Sequence, residues 1–166
     1  MKRRLLLILS LIVISVGISS CVRSVNDLEL TINVNDEKID GMVLQDTADN
    51  DKNVFKPAFE KETAFEVKHA DLGSIVTLSF INKLPDKITI QEYLLNANGE
   101  TLYTDIEVKD VPFTQEQSKY FFTIEKSIIA GLNSGLHTTD LRGYKVSAFF
   151  GNDKKTIIFV IETDFE

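Results

Sequence analysis

Leu141-Arg142-Gly143-Tyr144-Lys145-Val146-Ser147-Ala148-Phe149-Phe150 is followed by Gly151-Asn152-Asp153 and then, after two lysines, by Thr156-Ile157-Ile158-Phe159-Val160-Ile161-Glu162-Thr163. Two runs rich in aromatic and β-branched residues flank a triplet of turn formers, which is the pattern of a β-hairpin. Side chains alternate between the two faces of a strand, so Tyr144, Val146, Ala148 and Phe150 share one face and Phe149 falls on the other. The second run is apolar at both parities, with Ile157, Phe159 and Ile161 alternating against Ile158 and Val160. A hairpin of this kind belongs in an antiparallel framework.

The upstream sequence repeats the theme with shorter strands. Leu28, Leu30, Ile32 and Val34 alternate with polar residues, and Asn35-Asp36-Glu37-Lys38 reads as a turn before a brief strand at Met42-Val43-Leu44. Phe65 and Val67 predict a short strand, Asp71-Leu72-Gly73 a turn, and Val76, Leu78 and Phe80 another strand. Leu84-Pro85-Asp86 turns the chain into Ile88, Ile90 and Leu94, and Asn96-Ala97-Asn98-Gly99 turns it again before Leu102, Ile106 and Val108. After Pro112 comes Tyr120-x-Phe122-x-Ile124, then residues 126–140, where Ile128, Ile129 and Leu132 predict a helical turn within a long connection. Residues 45–53 are almost wholly polar and predict an exposed loop.

About seven principal strands without a helix long enough for a crossover predict an all-β antiparallel sandwich, with a small antiparallel barrel as the alternative. Leu141-x-Gly143-Tyr144-x-Val146 resembles the tyrosine corner of immunoglobulin-like domains. The resemblance implies an immunoglobulin-like sandwich in which the Tyr144 hydroxyl bonds back to the backbone. The cysteine pair and the strand tryptophan of true immunoglobulin domains are absent.

The other informative segment lies at the opposite end. Lys2, Arg3 and Arg4 precede an apolar run from Leu5 to Ile18, and Ser19 and Ser20 lead to Cys21. That order is a secretory leader, and the run is too short for a transmembrane helix, which needs about twenty apolar residues. Ile18-Ser19-Ser20-Cys21 resembles the lipobox of bacterial lipoproteins. The resemblance implies cleavage between Ser20 and Cys21 and a diacylglyceryl thioether on Cys21. It divides the chain into a signal peptide at 1–20, a lipidated tether at 21–27 and a β-sandwich domain at 28–166. It also implies lipid anchorage on the extracytoplasmic face of the cell membrane, or in the outer membrane of a two-membrane source, since Val22 is not Asp.

The leader carries three basic and no acidic residues, so its removal takes the chain from a net charge of −7 to −10. Such a balance disfavours nucleic acid and direct adhesion to anionic lipid heads, leaving the lipid on Cys21 to hold the protein at the membrane. With one cysteine in the chain, an intramolecular disulfide is excluded. The chain shows no cofactor motif, no GxSxG elbow and no metal spacing around His69 or His137. Asp49-x-Asp51-x-Asn53 with Glu60 has the outline of a calcium loop, yet Val54 stands where glycine makes the sharp turn and Lys56 where an apolar residue belongs. At most weak surface binding by Asp46, Asp49 and Asp51 is expected. A hydrolase would require Ser134, His137 and Asp140 to meet in space.

No catalytic or metal residue is therefore assigned, and the expected task is binding. Phe121, Phe149 and Phe159 form the candidate binding face, because outward aromatics on a sheet need covering. Residues 36–66, with Phe55 and Phe59, offer an internal cover for that face; a surface protein or envelope component offers an external one. An inhibitory or exclusion lipoprotein, blocking a protease or a transfer apparatus, is the alternative function.

Overall fold

The computed structural model describes residues 28–44, 53–60, 64–102, 108–126 and 139–164. Among them are eleven strands: β1 (Leu30–Val34), β2 (Glu37–Ile39), β3 (Gly41–Leu44), β4 (Lys68–His69), β5 (Ile75–Phe80), β6 (Lys87–Leu95), β7 (Lys109–Asp110), β8 (Thr114–Glu116), β9 (Lys119–Thr123), β10 (Thr139–Phe150) and β11 (Asp153–Asp164). They form two sheets, in the orders β2-β1-β5-β9-β8 and β3-β11-β10-β6-β7. The sheets pack face to face and no closed barrel forms. Strands β1-β5-β9-β8 stand in the ABED order and β6-β10-β11 in the CFG order of an immunoglobulin-like sandwich. The four remaining strands, β2, β3, β4 and β7, are short additions at sheet edges.

The C-terminal hairpin is the longest pairing, with β10 and β11 in register from Thr139↔Asp164 to Phe150↔Asp153. Gly151 closes it at φ 65°, a left-handed turn conformation that glycine adopts without steric cost. Val146, Ala148, Phe150, Ile157, Phe159 and Ile161 face the space between the sheets and meet Val76, Leu78, Phe80, Tyr120 and Phe122 from the other side. At its centre Tyr144 stacks on Phe159 with centroids 5.0 Å apart, and Phe122 tilts against Tyr144 at 5.1 Å. Each fully buried aromatic contributes on the order of 1.5–3 kcal/mol through the apolar area it removes from water.

Phe159 is therefore a core residue, fully buried, and it does not belong to the candidate binding face. The register gives the reason: with Tyr144 opposite Phe159, the two share a parity, and the large aromatic pair turns inward. The outward set of β11 is Ile158 and Val160, and it too is buried. A second cluster covers it, built from Leu44, Phe55, Ala58, Tyr93 and Leu95 with Phe59, Phe65 and Val67 at its margin. The internal cover thus exists over this sheet, and its anchor is Phe55, whose ring meets Tyr93 edge-on at 5.3 Å.

Residues Lys56–Phe59 of the cover form a 3-10 turn with Pro57 in its first turn, and Lys56 pairs with Glu100 at 2.9 Å. Val54 and Phe55 pack into this cluster, which is incompatible with a calcium loop running through them. Gly143 makes the close approach possible, because a Cβ there would stand 2.7 Å from the Phe55 ring and 2.9 Å from Leu95. The strand expected around Phe65 and Val67 occurs two residues later as β4, which pairs parallel with β11. The polar loop at 45–52 and the helical turn expected within 126–140 lie outside the described residues, apart from their ends.

Candidate functional site

Among the described residues, the outer face of the first sheet has no second layer of the kind that covers β11. On β9, Tyr120 and Phe122 take the inward parity, so Phe121 must point out, where it sits half-buried between Thr77 of β5 and Thr114 of β8. Beside it is a groove of about 330 Å³ lined by Ile75, Pro112, Phe113, Phe121, Thr123 and Glu125. Ile75 is 50% exposed and Phe113 37%, both large apolar side chains left in contact with water. Phe113 is held by an edge-on contact with Tyr120, 5.7 Å between centroids.

The groove also coincides with an incomplete sheet edge. Strand β8 pairs with β9 only from Glu116↔Lys119 to Thr114↔Phe121, and Pro112, which has no N–H, precedes it. No described strand continues along β9 past Phe121 on that side. Phe149 does not join this surface. It lies on β10 in the opposite sheet, half-buried, with the Lys87 ammonium 5.9 Å from its ring centroid. Of the three aromatics assigned to one face, Phe121 alone lines the groove. Phe113 and Ile75 are its partners there, and neither stands out in a periodicity pattern, since one follows a proline and the other begins a strand.

Tyr144 sits on β10, the strand in position F, and among the described residues its hydroxyl donates to a side chain, Glu92 Oε1, at 3.4 Å. The backbone tie is made by Arg142, whose Nη1 donates to the Glu125 carbonyl at 2.5 Å and to Glu92 Oε1 at 2.9 Å. This ion pair is buried, with side-chain exposures of 1% and 8%. Burial pushes the Tyr144 hydroxyl far above its ordinary range, and the Glu92 charge pushes it in the same direction. Tyr144 is thus a fixed neutral donor.

Asp140 and Thr163 are opposite one another at the same end of the core, two residues from Arg142. Asp140 Oδ2, Arg142 Nε and Thr163 Oγ1 are buried without a hydrogen-bond partner. Desolvation raises the Asp140 carboxyl above the usual carboxylate range, and the Arg142 charge offsets part of that rise. The cluster contains no nucleophile with an adjacent base. Ser134 and His137, which a hydrolase would need beside Asp140, lie outside the described residues, as do Asp46, Asp49, Asp51, Ser20 and Cys21.

His69 is exposed, as its sequence context suggests, but it is not isolated. Its Nε2 stands 3.7 Å from Asp71 Oδ1 and 3.6 Å from Asp164 Oδ2. Ninety-odd residues separate Asp164 from the other two, so only strand pairing could reveal the group. Among the described residues, no helix is long and apolar enough to cross a membrane. No protein-family model, curated protein or solved structure matches this chain.

Proposed function

We propose that the chain is an extracytoplasmic lipoprotein, anchored through Cys21, whose sandwich binds an extended segment of another envelope protein. The observation that carries this reading is the apolar groove of Ile75, Phe113 and Phe121 beside Phe122 and Thr123, the residues of β9 that lie past the end of β8. An extended peptide laid there would gain main-chain hydrogen bonds from the strand edge and bury alternate side chains against the aromatics. The net charge of −10 after removal of the leader favours a segment that carries basic residues beside its apolar ones. The lipid supports the reading by holding the groove close to its partners, which raises their effective concentration.

The test is a photo-crosslinking residue, benzoylphenylalanine, placed at Phe113 in the full-length protein within the cells that make it. Irradiation should give a membrane-bound adduct with a second polypeptide, mapped by mass spectrometry to a peptide. The adduct should disappear in a Phe121→Ser background that keeps its thermal midpoint within a few degrees. An equal adduct from the same residue at Val43, exposed on the other sheet, contradicts the groove. So does an adduct with polysaccharide, or none at all. Should the crosslinked protein be a protease or a transfer component, the segment is the same and the role is inhibitory.

A further inference from the structure

We infer that His69, Asp71 and Asp164 form a binding site for a divalent first-row transition ion of the Zn²⁺ type. The side chains come from two strands that the fold brings side by side. Strand β4 pairs parallel with β11 in the register Ile161↔Lys68 and Glu162↔His69, and the Ala70 N–H donates to the Glu162 carbonyl at 2.8 Å. Continuing two residues along each strand preserves the face, so Asp71 follows His69 on one chain and Asp164 follows Glu162 on the other. Asp71 is fixed further by the turn it opens, in which the Ser74 N–H donates to its carbonyl at 3.1 Å and Gly73 adopts φ 88°.

The donor set and its spacing argue for this class of ion. One imidazole nitrogen lies between two carboxylate oxygens at 3.6 and 3.7 Å, and all three ligand atoms fall within 4.8 Å of one another. Tetrahedral zinc with bonds of about 2.0–2.1 Å places neighbouring donors about 3.3 Å apart, so the imidazole stands within a few tenths of an ångström of that spacing from each carboxylate, and the two exposed aspartates close the remainder by side-chain rotation. An imidazole with carboxylates suits zinc, copper or nickel, whereas calcium requires about six to eight oxygens that this group does not supply. Three protein ligands leave the fourth position to water.

Among the described residues, no lysine or arginine pairs with Asp71 or Asp164. Lys68, the next residue, is engaged by Glu66 at 2.9 Å and Glu37 at 3.3 Å. The chain's excess of 25 acidic over 18 basic residues makes the general field favourable to a cation. An ion held here bridges a two-residue strand to one of the two twelve-residue strands of the sheet, so binding should stabilise the fold as well as occupy the surface.

The site is tested on the full chain in detergent micelles by titrating ZnCl₂ in a calorimeter at neutral pH, with a thermal melt of each sample. One saturable equivalent with micromolar affinity is expected, together with a rise in the melting midpoint. His69→Ala should remove both, and Asp71→Asn and Asp164→Asn should each weaken binding by about tenfold or more. Binding should survive in His137→Ala and persist in millimolar calcium. Absence of saturable zinc binding in the wild type overturns the inference, as does an unchanged equivalent in His69→Ala or its loss in His137→Ala.

Discussion

Arg142 and Glu92 show how much a single buried pair can determine. Both are taken almost completely out of water, and the pair is tolerable because Glu92 accepts from Arg142 and Tyr144 while Arg142 also reaches the Glu125 carbonyl. Glu92→Gln should cost about 3–5 kcal/mol in urea unfolding, because it removes the carboxylate that is hydrogen-bonded to the buried guanidinium. The double variant Glu92→Leu with Arg142→Met should recover most of that loss. If the double variant is as unstable as the single one, the pair contributes attraction beyond its desolvation. Asp140 acts in the opposite direction. Its folded-state carboxyl titrates above its unfolded one, so between the two values the native state binds more protons and stability falls as pH rises. Among the described residues, Arg142 lies beside it, and Glu92 and Tyr144 are the ionisable groups bonded in that corner. Asp140→Asn should therefore raise the urea midpoint at pH 7 and change it little below about pH 3, where both states are largely protonated. Equal effects at both pH values would assign the change to packing.

At the level of elements, the decisive arrangement is the Val54–Phe59 segment lying over β11 and β6. It lets a strand with apolar residues on both faces exist without exposing either. Phe55→Ala should destabilise by about 3–5 kcal/mol and increase binding of a hydrophobic dye, since truncation leaves Tyr93 and Ile158 under a cavity. Gly143→Ala should act in the same direction through its clash with the Phe55 ring, and the two changes should be less than additive. Strand positions were legible in the sequence wherever period two was clear, as in β1, β5, β6, β9 and the hairpin. Strand β8, Thr-Gln-Glu, was not, because an exposed edge strand carries no apolar alternation. The parity of Phe159 could not be read either, since Ile158 and Val160 are just as apolar; only the cover supplied by Phe55 resolves which set faces the core.

For the whole molecule, two faces of unequal character follow from this layering: a sheet whose central strands are covered by its own chain and a sheet whose outer face keeps Phe121, Phe113 and Ile75 where β8 ends. One of its three apolar residues was visible in advance, because Phe121 sits at the outward parity of a clear strand, whereas Phe113 and Ile75 acquire meaning only from where β8 stops. Phe121→Ser should leave the unfolding free energy within about 1 kcal/mol of wild type, as a half-buried side chain outside the core, while removing the crosslink from position 113. The central claim joins this surface to the membrane through one residue. Its most direct test is the intact mass of the mature protein extracted from membranes. The account predicts an N-terminus at Cys21 carrying a diacylglyceryl thioether, and for Cys21→Ser a protein that is unprocessed or released without lipid. A processed, membrane-bound Cys21→Ser protein, or a wild-type N-terminus without lipid, would contradict it.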